Sequence, residues 1–494
     1  MMKRRRPVAA AFLAFCGVVA LAAAPAAPAG EAATARYFAS IRNNPSLLLA
    51  FLAEMPKGGD LHNHLSGAIY AESYLRWAVD DSLCVATATM SIVSGTCDAT
   101  AGRPPAADVI RNSTLFNQAL DAMSMRHWDP SLNGHDHFFA TFGKFGPPSG
   151  KIGDMLAEVA ARAAAEHVSY LELMLTPTGP NTGSLAAGAK LACPDDPHAS
   201  CDPAFKILQE DLERAGYLKT VKDEAGDLIA RSEARQASLL GCAATPHVPA
   251  CEVKIRYIAQ VTRAASLPRV FAQILAGFEE ASHILQIVSL NLVQPEDDPN
   301  AIRDFDRQMQ MLDFLRKQPA YANVKVTLHA GELIDGLVPP ESLRFHIRES
   351  IETGGARRIG HGVDVMRERD PFGLLREMAS RKLLVEIALT SNDVILGVKG
   401  PRHPLQMYLK YGVPVALVTD DAGVSRSTLT LEYLKAVEEQ GLDYRTLKRL
   451  ARNSIEYCFA DAATKTELLT TLDAAFLVFE RTLNRGTLNP APRP

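Results

Sequence analysis

The chain of 494 residues lacks a basic excess: 52 Lys and Arg stand against 56 Asp and Glu, a formal net charge of −4. No broad cationic surface is available to neutralise phosphates, so a nucleic-acid partner is not expected. It also lacks a G-x-G-x-x-G turn, a G-x-S-x-G nucleophile elbow and a P-loop. Dinucleotide binding, serine hydrolysis and nucleoside-triphosphatase chemistry fall away with them. No C-x-x-C spacing occurs, which argues against thiolate zinc sites. What remains is ordinary: 47% hydrophobic and 22% charged residues. That composition excludes disordered, collagenous and multi-span membrane chains. The length predicts two to four domains, or one large barrel with insertions, and a core that needs no disulfide staples.

The first 29 residues stand apart. Lys3, Arg4, Arg5 and Arg6 precede an apolar run from Val8 to Ala24 and a small-residue stretch ending Ala27-Pro28-Ala29. This is the tripartite pattern of a secretory signal peptide, with cleavage expected after Ala29. The run is short for a membrane span, so no stable insertion is expected after cleavage, and the protein is expected in the periplasm or outside the cell. The three arginines also leave a twin-arginine route open. Cysteine usage agrees with export. Cys84 and Cys97, Cys193 and Cys201, and Cys242 and Cys251 form close pairs in loop-like stretches. Local bridging is the simplest pairing in an oxidising compartment. Cys458, among Ile455, Tyr457 and Phe459, reads as a buried free thiol.

Residues 30–54 are expected to form an N-terminal helical segment. From there to residue 483, apolar runs alternate with amphipathic stretches. The runs are Gly59–Leu65, Val168–Leu175, Val253–Val261, Leu285–Val293, Val324–His329, Arg358–Val363, Leu383–Leu389 and Val413–Val418. Most are continuously apolar, as parallel strands covered on both faces should be. Helical periodicity marks Gly153–Glu166, Asp304–Lys317, Pro340–Thr353, Asp370–Arg381 and Thr428–Gln440. Eight such units predict an α/β fold, a (β/α)8 barrel. Residues 79–134 and 178–252 are oversized for connectors. They read as cysteine-bearing insertions after the first and second strands, with a helical stretch near Phe205–Leu240. The tail, 484–494, reads as flexible.

The chemistry gathers where apolar runs end. The first run carries His62 and His64, which the period of two points to one side. His329-Ala330-Gly331-Glu332, Gly360-His361-Gly362 and Thr419-Asp420-Asp421 close three others. Ionisable groups at strand ends are costly to bury unless they pair or bind a metal. Four barrel strands would bring them to one mouth. His62, His64, His329 and Asp420 make three nitrogens and one oxygen, a set suited to one Zn²⁺ with a position left for water. Glu332, His361 and Asp421 remain as acid/base groups. The fourth run has no Lys that could be carboxylated to bridge two ions, so one metal per chain is expected.

The stretch Met55–Ala68, the His329–Glu332 quartet, Arg358–Gly362, Thr390-Ser391-Asn392 and Thr419-Asp420-Asp421 resemble the adenosine deaminase family of the metal-dependent amidohydrolase superfamily. The motifs occur in that family's order, and the resemblance runs through most of residues 55–460. The export signal and cysteine-bearing insertions resemble its secreted branch, the adenosine deaminase-related growth factors, although the segment before residue 55 is short for the dimerising extension of the animal members. The resemblance implies hydrolytic deamination of adenosine and 2′-deoxyadenosine, with a purine nucleoside as the small-molecule partner. It leaves a homodimer open. Glu332 would protonate purine N1, Asp421 would orient the attacking water and accept from the purine edge, and His361 would act as proton acceptor or electrostatic partner. Substrate contacts fall to His64, Ser66, Gly331, Gln294 and Asp421; Gly331 is read equally as a close approach of backbone to ligand or as a tight turn.

Three positions depart from the family pattern. Ser66 stands where the family often has an Asp on the ribose 5′ hydroxyl. Gln294 stands where it has a Gly whose N–H meets purine N3, and Gln disfavours the positive φ that Gly allows. Ala422 replaces a Pro. The insertions are left open as a source of compensating sugar contacts, and weak dependence on the 5′ hydroxyl is expected. Two other readings stay open: deamination of another 6-aminopurine, such as adenine or an N6-modified adenosine, and an exported nucleoside-binding or signalling protein on the same fold.

Overall fold

The computed structural model describes residues 29–129, 134–196, 198–244 and 247–484. The expected signal segment, apart from Ala29, and the tail beyond Asn484 lie outside the described residues. Eight parallel strands form one sheet in chain order: β1 Gly58–His64, β2 Val168–Leu175, β3 Lys254–Thr262, β4 Ile287–Val293, β5 Lys325–Ala330, β6 Arg358–His361, β7 Leu384–Ile387 and β8 Val415–Leu417. The sheet closes on itself just beyond β8. Asn63 bridges Asp420 in parallel, His64 donates its N–H to the Asp420 carbonyl at 3.0 Å, and Asp420 donates to the His62 carbonyl at 2.8 Å. The fold is a (β/α)8 TIM barrel.

Every predicted apolar run carries a strand, and the ends that differ have local causes. β6 stops at His361 because that residue takes φ 66°, which no strand tolerates. β7 stops at Ile387, where the helix Leu389–Leu396 begins. The helix expected from Asp304 starts earlier, at Pro299, where the Asp298 side chain accepts from the N–H groups of Asn300 and Ala301. The stretch near Phe205–Leu240 is two helices, Asp202–Arg214 and Tyr217–Leu240, parted at Gly216 with φ 81°.

Before β1, the helices Ala29–Ile41 and Pro45–Glu54 clasp the last part of the chain. Phe38 and Phe51 join Tyr444 and Phe479 in one aromatic cluster, with centroids 5.1 Å apart for Phe51 and Phe479. Between β1 and β2 lie the antiparallel pair Cys84–Ala86 and Ser91–Val93 and the helices Ala106–Arg111, Ser113–Ala122 and Gly134–Thr141. Between β2 and β3, the long helix Tyr217–Leu240 lies along the barrel helix Ile152–Ala165. There the Arg235 guanidinium pairs with Asp154 at 3.0 Å. Disulfides join Cys84 to Cys97, Cys193 to Cys201 and Cys242 to Cys251. Cys458 is a buried thiol whose pKa burial pushes up to about 11. No helix among the described residues is long and apolar enough to cross a membrane.

Candidate active site

Four donor atoms meet at the C-terminal mouth of the barrel. His62 Nε2 lies 3.1 Å from His329 Nε2, and His64 Nε2 lies 3.2 Å from the same atom. Asp420 Oδ1 stands 3.4 Å from both His62 Nε2 and His64 Nε2. Donors at zinc bonding distance around a tetrahedral ion sit about 3.3 Å from one another, so these contacts match the edges of such a site. The ligand atom of His361 also falls within 4.8 Å of those of His62, His329 and Asp420, while Asp421 groups with His64 and Asp420.

Each ring is turned by what its other nitrogen meets. His62 Nδ1 donates to Glu386 Oε2 at 2.7 Å, and His329 Nδ1 donates to Asn291 Oδ1 at 3.0 Å. Both partners fix the tautomer that leaves Nε2 free for a cation. Asn291 Oδ1 also accepts the His329 backbone N–H at 3.0 Å, so one amide sets ring and main chain together. Ser391 donates to Asp420 Oδ2 at 2.6 Å, which leaves Oδ1 for the centre. Beneath the histidines, Arg358 joins Glu386 and Glu172 at 2.5 Å each and stacks 3.8 Å from the Phe459 ring. All three charges are buried, and the paired geometry is what makes that tolerable.

The electrostatics follow from this enclosure. Burial outweighs the nearby Asp420 carboxylate and pushes His64 down to about 4, and burial with the surrounding histidines and Arg263 pushes His329 well below the usual imidazole range. Burial also acts on His62, but Asp420 and Glu386 outweigh it and lift the ring to about 10. Those two acids therefore favour one positive charge at the place where a cation would sit. Burial lifts the Glu332 carboxyl well above the usual range, reinforced by Asp420 and Glu296. Asp421 is lifted by burial and by Asp420 beside it. Asp420 Oδ1, Asp421 Oδ1, Glu332 Oε1 and His361 Nε2 are all buried without a hydrogen-bond partner. Four orphaned polar atoms in one place call for a ligand or ion that satisfies them. Three neutral-capable imidazoles and one carboxylate fit a divalent transition ion, zinc foremost.

A cavity of about 280 Å³ opens above these groups. His64, Ser66, Gln294, Glu332, Asp420 and Asp421 line it, so the structure brings together most of the residues singled out from sequence. Gly67 is required beside them, because a Cβ there would stand 1.6 Å from Asp421 Oδ1. Gly331 lies in a turn with φ 76°, and a Cβ would strike Asp364 at 2.3 Å. The tight-turn reading of that glycine accounts for it. Gln294 adopts φ 81° despite its side chain, which accepts the Ala264 N–H at 3.1 Å.

Other wall residues were not anticipated. Phe138, Phe139 and Phe142 come from the helical segment that follows the first insertion, Gly134–Thr141 and Phe142–Lys144, and give one apolar side. Gln260 and Thr262 on β3 add neutral polar groups. No described residue of either insertion, 79–134 or 178–252, lines the cavity. The insertions therefore supply no compensating sugar contact to the described wall: the second packs along the barrel's flank. Glu296 was also missed. Its carboxylate accepts the N–H of Gly331 at 3.0 Å and of Glu332 at 2.8 Å, and His346 Nδ1 donates to it at 2.6 Å. An acid three residues beyond the end of β4, flanked by Pro295, was the available signal.

Residues 227–475, about half of the chain, match the family model described as adenosine deaminase. The adenosine deaminase of Escherichia coli (strain SMS-3-5 / SECEC) is 34% identical over 148 residues, which is 30% of this chain and 41% of that protein. The matched stretch thus spans less than half the length of that relative. Among solved structures, an amidohydrolase from Burkholderia ambifaria with bound Zn aligns at TM-score 0.53 and 15% identity, covering 88% of this chain and 94% of its own. The N6-methyl-AMP deaminase of Arabidopsis thaliana aligns at TM-score 0.52 and 18% identity, covering 86% and 98%. At these identities the likeness is one of fold.

Proposed function

The chain belongs to the adenosine deaminase family, and from that premise we propose that it is an exported, zinc-dependent deaminase of adenosine and 2′-deoxyadenosine. The observation that carries this is the convergence of His62, His64, His329 and Asp420 with Glu332 and Asp421 at one cavity. The zinc of the Burkholderia amidohydrolase supports the choice of metal. The three disulfides and the basic-apolar N-terminal segment support export.

A zinc ion held by His62, His64, His329 and Asp420 would supply the positive charge that makes water a nucleophile near neutral pH. The rest falls to the chain. Glu332, kept protonated by burial and by neighbouring acids, presents a proton to purine N1, which draws electrons from C6. Glu296 holds the Glu332 backbone so that the carboxyl faces the cavity. Asp421 orients the attacking water. Phe138, Phe139 and Phe142 exclude solvent from the purine and strengthen these polar interactions. Water adds at C6, ammonia leaves, and the 6-oxo purine nucleoside remains.

The cavity favours a neutral nucleoside over a nucleotide. Its described lining holds Ser66, Gln260, Thr262 and Gln294 but no Lys or Arg to meet a 5′ phosphate. The test is an ultraviolet assay of the purified protein on adenosine, 2′-deoxyadenosine, adenine and N6-methyl-AMP, before and after chelation. Adenosine turnover that is lost with the metal is expected. Turnover of adenine or N6-methyl-AMP alone would refute the substrate assignment, and full activity in metal-free protein would refute the zinc chemistry.

A further inference from the structure

A chain of hydrogen bonds runs from the main chain between β7 and β8 to the active-site histidine. The Leu405 N–H donates to His403 Nδ1 at 3.2 Å. His403 Nε2 stands 3.1 Å from Asn392 Oδ1, and Asn392 Nδ2 stands 3.0 Å from His361 Nδ1. His403 and Asn392 are both buried, and neither touches the cavity.

The direction of this chain is decided at its far end. A backbone N–H can only donate, so His403 Nδ1 must carry its lone pair. Burial pushes the His403 ring down to about 3, so it is neutral and its single proton sits on Nε2. That proton requires the oxygen of Asn392, which turns the amide N–H₂ toward His361. An amide N–H₂ can only donate, so His361 Nδ1 must accept. The one proton of a neutral His361 is then on Nε2, the buried atom that no protein group satisfies. The same arrangement spares Glu332 a donor. Its Oε1 lies 3.5 Å from His361 Nδ1, and a lone pair there offers an ionised carboxylate nothing to bind.

We propose that Asn392 and His403 are positioning residues that hold His361 in the Nε2–H tautomer, so that it meets the attacking water as a hydrogen-bond donor. This rests on the deaminase reading of the site, and it separates the two roles that sequence left open for His361. A nitrogen that already bears a proton cannot take one from water. The water proton goes instead to Asp421, whose Oδ1 is buried and unpartnered and whose carboxyl a bound cation beside it would hold ionised against burial.

Two conservative changes test the chain, one reversing it and one keeping its direction. In Asn392→Asp, both oxygens accept, which demands a proton on His361 Nδ1. In His403→Gln, the amide still donates to Asn392, and the polarity is kept. The experiment is long-range 1H–15N correlation on 15N-histidine-labelled, metal-loaded protein, with His361→Gln to assign the ring, alongside steady-state kinetics. Wild type and His403→Gln are expected to show the Nε2–H pattern at His361 and rates within about threefold of each other. Asn392→Asp is expected to show Nδ1–H and to lose about tenfold or more in kcat, with KM little changed. An Nδ1–H pattern in the wild type overturns the proposal whatever the variants do. So does Asn392→Asp that keeps the Nε2–H pattern and its rate. Because the spectrum is read without substrate, it decides the tautomer even if no purine is turned over, and a failure of the deaminase reading would be seen only in the assay.

Discussion

Asp420 and His62 hold each other twice: the Asp420 N–H donates to the His62 carbonyl at 2.8 Å, and the Asp420 carboxylate faces the His62 ring at 3.4 Å. The first contact closes the barrel and the second forms one edge of the candidate metal site. Asp420 reaches both from φ 60°, a conformation that costs a non-glycine residue on the order of 1 kcal/mol or more. Architecture and chemistry thus share one pair of residues, and strain is placed where the two meet.

Support for the candidate ligands is expected to matter nearly as much as the ligands. Glu386→Gln keeps an acceptor for His62 Nδ1 but removes the charge that favours a cation and one of the two acids beside Arg358. Metal affinity should fall about 10- to 100-fold, read by competition with a chelator, and the melting temperature should drop. Unchanged affinity would mean that Glu386 serves only Arg358.

The proton on Glu332 is the assigned source for purine N1. Glu332→Gln preserves shape and should preserve metal content by elemental analysis, yet kcat should fall about 100-fold or more. A variant that turns over near the wild-type rate would place the proton donor elsewhere.

Ser66 lines the cavity as a short neutral group. A charge-assisted hydrogen bond to the ribose would have been worth about 1.5–3 kcal/mol. Its absence predicts similar kcat/KM for adenosine and 5′-deoxyadenosine. A loss of about 100-fold for the 5′-deoxy compound would reveal a strong 5′ contact from another wall residue.

Glu296 governs the acid limb of stability. Burial would raise its pKa, but the hydrogen bond and charge of His346, with Arg263 and the Gly331 N–H, outweigh burial and bring it from 4.5 to about 2. A carboxyl whose folded value lies below its unfolded value stabilises fully above the unfolded value, and the contribution is lost as pH falls through the folded one. Melting temperature should therefore decline from about pH 4.5 toward pH 2. Glu296→Gln should melt lower than wild type at pH 7 and lose less on acidification across that window. A parallel decline in both proteins would assign the acid sensitivity to other carboxylates.

Much of the barrel was legible because parallel strands covered on both faces leave continuous apolar runs, as at Val168–Leu175 and Leu285–Val293. The cluster of candidate ligands was legible because ionisable groups ending such runs have few inexpensive alternatives. What escaped notice was polar residues inside the runs. Glu172, Asn291 and Glu386 each interrupt an apolar strand, and each is buried. Their partners lie on other strands, so no local spacing reveals them. The aromatic wall was hidden for a different reason. Phe138, Phe139 and Phe142 look like a local helix face, and only the return of that helix to the mouth gives them a ligand to cover.

Barrel closure by the segment that carries Asp420 bears on how the protein acquires its activity. Asn63 donates to the Thr419 hydroxyl across 356 residues of chain, and the ligands come from both ends of that interval. Contacts so distant in sequence form late, since the entropy of the intervening loop must be overcome first. A nascent or truncated chain that stops before β8 has the three histidines but neither the fourth ligand nor the seam that aligns them. Metal uptake would then coincide with the last folding event and favour it by mass action. Metal occupancy in such a protein would report that the chain has been made through Asp420 and that the barrel has closed.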